Sequence, residues 1–176
     1  MRTVSSKVVY ENPWMTLRED EIEFEDGSRG IYSVLDKPDF ALVIPMENDG
    51  FHLVEEYRYP LGERRWQFPQ GAFPQGVTGT PEELGAAELE EETGFKAGRL
   101  EQLGYLNTAH GITNQSYHVF LATELTPGEP RREVTEQDMR QEWFPRKDVE
   151  RMFRDGVITD DSSLAAYLLL RMRAEE

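Results

Sequence analysis

The stretch Thr80-Pro81-Glu82-Glu83-Leu84-Gly85-Ala86-Ala87-Glu88-Leu89-Glu90-Glu91-Glu92-Thr93-Gly94-Phe95 decides how this chain is read. Thr80 and Glu83 form a capping-box pattern, Pro81 suits a first helical position, and Gly94 is placed to end the element. The spacing therefore predicts a helix over Pro81–Thr93. Six glutamates and no basic residue lie between Glu82 and Glu92. On a helix Glu88, Glu91 and Glu92 stand three and four residues apart, so their carboxylates converge on one side. Gly85, Ala86, Leu89 and Thr93 fall on an adjacent side, which is expected to pack small residues against a sheet. Like charges at this spacing repel by roughly a few tenths of a kcal/mol per pair. They also crowd the end of the helix where the macrodipole disfavours anions, and Gly85 costs about 1 kcal/mol relative to alanine. Such a helix needs a compensation. A divalent cation held by three carboxylates supplies one, and hard oxygen ligands favour Mg²⁺ or Mn²⁺ over zinc. A solvated acidic face paired with distant Arg or Lys supplies another, and helix spacing leaves both open.

Outward from the helix, the N-terminal side reads as strands and turns. Val8–Tyr10, Met15–Phe24 and Gly30–Leu35 carry alternating or β-branched patterns, with Asp26-Gly27 as a hairpin turn. Ala41–Met46 and Phe51–Tyr57, separated by Asn48-Asp49-Gly50, form a buried hairpin. Between Pro60 and Thr80 the chain is rich in Gly, Pro and Gln, a structured loop punctuated by Trp66, Phe68 and Phe73; these aromatics pack beneath it or stack on a base. After the helix come strands at Leu100–Leu106 and Tyr117–Ala122, and a charged, mobile loop at Thr126–Gln141. A short strand at Glu142–Phe144 leads to a helix at Lys147–Arg154. A last helix covers Ser162–Arg173, with Leu164, Leu168 and Met172 on one stripe. Strands, one helix, more strands and then helices make a mixed α/β order without regular βαβ alternation. The fold class expected is a mixed sheet packed between helices.

The 176 residues carry 19 basic and 34 acidic side chains, a formal charge of −15, and no cysteine. A disulfide scaffold, a thiolate zinc site and a cysteine nucleophile are thereby excluded. The charge has the wrong sign for non-specific binding to nucleic acid or anionic lipid. The longest apolar stretches, Phe40–Met46 and Leu164–Leu170, are far short of the roughly 20 residues a spanning helix needs, and Met1–Met15 lacks a signal-peptide apolar region. A cytoplasmic protein with no membrane partner is expected. His52, His110 and His118 show no metal-ligand spacing, and the glycines Gly71 and Gly76 are not followed by the lysine of a P-loop.

The stretch Gly71-Ala72-Phe73 … Glu88-Leu89-Glu90-Glu91-Glu92-Thr93-Gly94-Phe95 resembles the Nudix box, G-x5-E-x7-R-E-U-x-E-E-x-G-U with U apolar. Glu88, Leu89, Glu91, Glu92, Gly94 and Phe95 match at every specified place after the arginine. Ala87 stands at the arginine position, Gly79 at the earlier glutamate, and Gly71 becomes the box glycine only with two extra residues in Phe73–Gly79. Tyr10-Glu11, Asp26-Gly27, Glu56-Tyr57-Arg58, His118–Ala122 and Asp155–Asp160 are similar to ADP-ribose pyrophosphatases of that family. Trp66-Gln67-Phe68-Pro69-Gln70-Gly71 instead resembles dinucleoside polyphosphate and RNA 5′-pyrophosphohydrolases.

The resemblance implies an α/β/α sandwich with a mixed β-sheet and an N-terminal antiparallel β extension, divided into a dimerising β region at 1–38 and a hydrolase domain at 39–176. It implies Mg²⁺, with Mn²⁺ as the substitute, on Glu88 and Glu92. Glu91 would be a further ligand or would orient water, and the Gln70 carbonyl is another candidate ligand. A catalytic base is expected in the 126–141 loop, at Glu136 before Glu133. Arg58 is a phosphate-gripping candidate because a guanidinium matches phosphate oxygens, although it also has Glu55 and Glu56 to pair with; Arg29 is the weaker candidate. The implied reaction is hydrolysis of a nucleoside diphosphate linked to another group, ADP-ribose or a related nucleotide sugar, by a homodimer. The alternatives are a dinucleoside polyphosphate or RNA 5′-pyrophosphohydrolase, and a non-catalytic nucleotide sensor motivated by Ala87 and Gly79.

Overall fold

A computed structural model of the chain describes residues 1–73, 76–132 and 136–173. Strands β1 (Arg2–Asn12), β2 (Met15–Glu23) and β3 (Arg29–Asp36) form an antiparallel sheet of their own. The remaining strands are β4 (Phe40–Glu47), β5 (Gly50–Arg58), β6 (Glu63–Gln67), β7 (Gln70–Gly71), β8 (Lys96–Asn107), β9 (Ser116–Thr126) and β10 (Arg140–Pro145). They make a second, seven-stranded sheet in the order β10-β5-β4-β9-β8, with β6 paired to β5 and β7 to β4. Only β4 and β9 run parallel, which makes the sheet mixed. The helices are α1 (Pro81–Thr93), α2 (Arg146–Arg154) and α3 (Asp161–Arg173).

The β4–β5 hairpin turns through Asn48 and Asp49, both with positive φ (50° and 54°). It then splays. The two strands pair only at Met46–Phe51 and Glu47–Gly50. Beyond that point β4 takes β7 as its partner and β5 takes β6. The fork between them is filled by Phe68 and Pro69: Phe68 is fully buried, and Val43 donates its N–H to the Pro69 carbonyl at 2.9 Å.

Both faces of β4 are covered. Ala41 and Val43 point to α1, where they meet Leu84, Leu89, Phe120 and Ala122. Leu42 and Ile44 point the other way, into a core with Phe51, Leu53, Phe68, Val119, Val149 and Tyr167. The period-two alternation of a strand thus serves two helical layers. Gly85 lets α1 lie close to the sheet, because a Cβ there would come within 2.9 Å of the Phe120 ring. Leu89 and Thr93 are buried on the same side, whereas Ala86, expected beside them, is exposed.

Two sequence expectations need correction. The stripe Leu164, Leu168 and Met172 of α3 faces outward, 52–58% exposed, and the buried face is Ser162, Ser163, Ala166, Tyr167 and Leu170. Small residues at the start of α3 bring it close enough for Ser163 Oγ to accept the Phe68 N–H at 3.0 Å. Tyr167 supplies the bulk, edge-on to Phe51. The second correction concerns strand length. β1 runs over 11 residues rather than three, almost all of them exposed, so no hydrophobic alternation marks it. β10 likewise extends past Glu142–Phe144 at both ends.

Candidate active site

Helix α1 starts as the sequence predicts. The Thr80 hydroxyl accepts the Glu83 N–H (3.2 Å), the Glu83 carboxylate accepts the Thr80 N–H (2.8 Å), and Gly94 ends the helix at φ 79° with its N–H on the Glu90 carbonyl. The acidic side at its far end divides into two kinds of carboxylate. Glu90 is matched by basic side chains from elsewhere, Arg131 at 2.9 Å and Lys96 at 3.6 Å, which is the solvated, distantly paired arrangement. Glu92 is different. It is 2% exposed, and its Oε2 has no hydrogen-bond partner among the described residues. Burial pushes its carboxyl well above the usual carboxylate range. The charges of Glu88, Glu136 and Glu56 add to that, and Arg58 opposes it.

Glu88 sits one turn earlier, facing β7. A Cβ at Gly71 would fall 2.4 Å from the Glu88 carboxylate, so the absence of a side chain is what lets this carboxylate lie against the strand backbone beside Gln70. Strand β7 is held in place by the Gln70 amide, which donates to Asp160 Oδ2 at 3.2 Å; the same oxygen takes the Ser163 N–H at the start of α3. Glu91 is half-buried on the same helix end, and its carbonyl accepts the Arg131 N–H at 2.9 Å.

The third wall comes from β5 and β6. Arg58 donates to Gln67 Oε1 (2.6 and 3.1 Å) and pairs with Glu56 at 2.8 Å, while the Gln67 amide donates to the other side of the same Glu56 oxygen at 2.9 Å. Arg58 therefore has the partner its surface reading anticipated, and its charge is also felt at Glu92. Glu56 and the buried Gln67 were not read from the sequence as part of a site. Their signal was the strand alternation that puts Glu56 and Arg58 on one face. Glu136 opens a turn whose carbonyl accepts the Met139 N–H at 2.9 Å, and its charge is felt at Glu92. Glu133, the other candidate base, lies outside the described residues.

Arg29 is not brought to this place. It belongs to β3 and pairs with Glu21 at 2.7 Å and Glu23 at 3.8 Å across the N-terminal sheet. Of the aromatics singled out, Phe68 is core, Trp66 packs edge-on to Phe144, and Phe73 lines a cleft. His52 is packed on the Phe95 ring, and burial lowers its pKa. The cleft, about 910 Å³, begins at Ala72 beside the box glycine. It runs between Phe73, Val77 and Gly79 on one side and Trp14 and Asp36 of the N-terminal sheet on the other. Trp14 is 74% exposed there.

Among the described residues no three acidic or imidazole side chains are already gathered into a cation cage. The donor chemistry nevertheless fits a hard divalent cation: a buried carboxylate oxygen without a partner at Glu92, and the Glu88 carboxylate laid against the Gly71 backbone.

Residues 37–167 match the family model described as a NUDIX domain, and residues 1–35 match that of the nucleoside diphosphate sugar hydrolase N-terminal domain. The chain belongs to the Nudix family. It is 31% identical to an ADP-ribose pyrophosphatase of Mycobacterium tuberculosis over 94% of this chain and 81% of that protein. An ADP-ribose pyrophosphatase of Bacillus subtilis is 28% identical over 78% and 74%. A solved ADP compounds hydrolase superposes with a TM-score of 0.86 at 21% identity, covering 99% of this chain and 94% of that one. The chain is thus a Nudix pyrophosphatase homologous to the ADP-ribose pyrophosphatases, and the three-stranded N-terminal sheet is part of its Nudix architecture. The family typically uses a divalent metal. Of the departures from the box, the one at Gly79 has a local account: a Cβ there would lie 2.7 Å from the Phe73 ring, which fills the space a glutamate would need.

Proposed function

We propose that this Nudix enzyme hydrolyses the diphosphate bond of a nucleoside diphosphate sugar, with ADP-ribose as the first substrate to test and Mg²⁺ as the metal. The observation that carries the reading is the sealed Glu92 carboxylate with an unpartnered oxygen, among Glu88, Glu136 and Glu56. A sealed carboxylate with three half-buried ones beside it is costly unless a cation joins them. Glu88 and Glu92, with Glu91 and the Gln70 carbonyl, would hold it. When bound, a divalent cation neutralises diphosphate oxygens and makes water more acidic.

The chain's own groups do the rest. Arg58, held flat by Gln67 and Glu56, offers its remaining N–H donors to a phosphate oxygen. Glu136 takes the proton of the attacking water as its oxygen bonds to phosphorus and the bridging P–O bond breaks, leaving two monophosphates. The cleft past Ala72 accommodates the remainder of the substrate, and Trp14 offers an exposed ring to a base or sugar. Within Trp66–Gly71, the stretch similar to polyphosphate hydrolases, Gln67 and Phe68 are 1% and 0% exposed, which favours packing and bracing roles for these two over direct substrate contact. The N-terminal sheet supports a homodimer: β1 is a long free edge with Val8, Val9 and Tyr10 each more than half exposed.

A panel of ADP-ribose, other nucleotide sugars, dinucleoside polyphosphates and 5′-triphosphate RNA, each with Mg²⁺, tests the reading. Release of monophosphates from the nucleotide sugars is expected. Turnover confined to the polyphosphates or RNA would replace the substrate class.

A further inference from the structure

The far end of α1 carries no basic residue of its own in its last turn. The chain from 127 to 132 supplies what is missing. Its backbone presses onto Gly94 so closely that a Cβ there would fall 2.4 Å from the Gly128 carbonyl oxygen. Arg131 then caps the Glu91 carbonyl with its N–H and pairs with the Glu90 carboxylate.

Arg132 goes further than capping. Its Nε donates to the Glu92 carbonyl at 3.1 Å, while a terminal nitrogen of the same guanidinium donates to the Met139 carbonyl. Its own carbonyl accepts the Gln137 amide at 2.7 Å. Met139 in turn gives its N–H to Glu136. One guanidinium therefore links the last carboxylate-bearing residue of the helix to the turn that begins with Glu136. The outer side of that turn is held by Arg64, which donates to the Asp138 carboxylate (2.5 Å) and carbonyl (2.9 Å) and anchors on Glu55 of β5.

We propose that Arg132 is a positioning residue for hydrolysis: by bridging the Glu92 and Met139 carbonyls it fixes where Glu136 stands relative to the metal-binding end of α1. A box that lacks an arginine at position 87 is thus served by one from outside the helix. This rests on the reading of Glu136 as the base. The bridge needs two donors fixed in one plane. Guanidinium has them, whereas an ammonium on a flexible stem brings charge without the fork.

The test compares R132A, R132K and, as a control for charge at the same helix end, R131A. In steady-state kinetics with the best substrate of the panel, R132A and R132K should each lose about 10-fold or more in kcat with KM within about 3-fold, and R131A should stay within about 2-fold. Mn²⁺ affinity read by electron paramagnetic resonance should be unchanged within about 2-fold in all three, since Arg132 and Arg131 meet the backbone carbonyls of Glu92 and Glu91 and leave their carboxylates in place. Independently of any substrate, cleavage of the 126–141 loop by a glutamyl endopeptidase should be about 10-fold faster in R132A and R132K than in wild type or R131A. Wild-type kcat in R132K would reduce the role to charge and overturn the bridge. Unchanged loop cleavage in R132A would overturn it as well, and a parallel loss of Mn²⁺ binding and thermal stability would make Arg132 merely structural. An inactive wild type with the expected cleavage pattern would instead sink the proposed reaction and leave the bridge standing.

Discussion

The Glu92 carboxyl is sealed from water beside Glu88, Glu136 and Glu56, with one arginine, Arg58, opposing them. In the metal-free protein its ionisation costs free energy. The folded state holds the Glu92 proton more tightly than the unfolded chain does. The group therefore favours folding below the ordinary carboxylate pKa, and this contribution is lost as pH rises through its raised value in the folded protein. E92Q removes the charge and keeps the shape. With a chelator present, its melting temperature should match wild type near pH 5 and exceed it by a few degrees at pH 8, at about 2–4 °C per kcal/mol for a chain of this size. Mg²⁺ should raise the wild-type melting temperature and leave E92Q nearly unmoved. Turnover should fall on the order of 10²-fold in E92Q, because metal charge at the diphosphate is what the carboxylate secures; near wild-type rates would remove Glu92 from the site. Gly71 makes a complementary case. The three atoms nearest a methyl group there all belong to the flexible end of Glu88. G71A should therefore fold with little change in melting temperature and lose about 10-fold or more in Mn²⁺ affinity, which a titration would read.

At the scale of elements, α3 separates apolar character from burial. Leu164, Leu168 and Met172 form the stripe that periodicity picks out, yet they face outward, and the helix packs through Ser163, Ala166, Tyr167 and Leu170. Changing Leu168 to Gln should alter stability by no more than about 0.5 kcal/mol, whereas L170A should cost about 2–5 kcal/mol, both measured by urea unfolding. What the sequence made legible follows the same division. Helix α1 could be read to the residue because its caps are local chemistry: a hydroxyl, a carboxylate and a glycine at fixed offsets. The β4–β5 hairpin could be read because both strands are buried runs around a turn that needs positive φ. The face of α3 could not, since it depends on where Tyr167 finds Phe51, more than a hundred residues away. Nor could the length of β1, whose exposed edge carries no alternation. In the site, Glu88 and Glu92 announced themselves by helical spacing, while the bond from Gln67 to Glu56 and that from Arg132 to the Glu92 carbonyl are tertiary contacts that leave no periodic trace.

For the whole molecule, the charge of −15 resolves into two populations. Most acids are solvated or paired with arginines, as Glu90 is with Arg131 and Glu55 with Arg64. A few at one end of α1 are concentrated where they repel one another. The N-terminal sheet is tied to the body by Leu35, whose N–H meets the Ile112 carbonyl at 2.8 Å and whose carbonyl accepts the Thr113 hydroxyl. Its outer strand stays open. Light scattering coupled to size exclusion should give a mass near twice 20.4 kDa, and charged substitutions at Val8 and Tyr10 should shift it toward the monomer. A wild-type monomer at micromolar concentration would remove the dimer from the proposal.

The fork between β4 and β5 has a consequence for the whole site. The two strands share hydrogen bonds only at their closed end, so no ladder ties the Gln70–Gly71 bank to the Glu56–Arg58 bank. The span between the banks is gauged instead by the single plug of Phe68 and Pro69, hung from Val43 and Ser163. The aperture across which a diphosphate would be gripped is therefore a packing dimension. Trimming Phe68 would narrow or skew it while every strand pairing on either bank stayed intact.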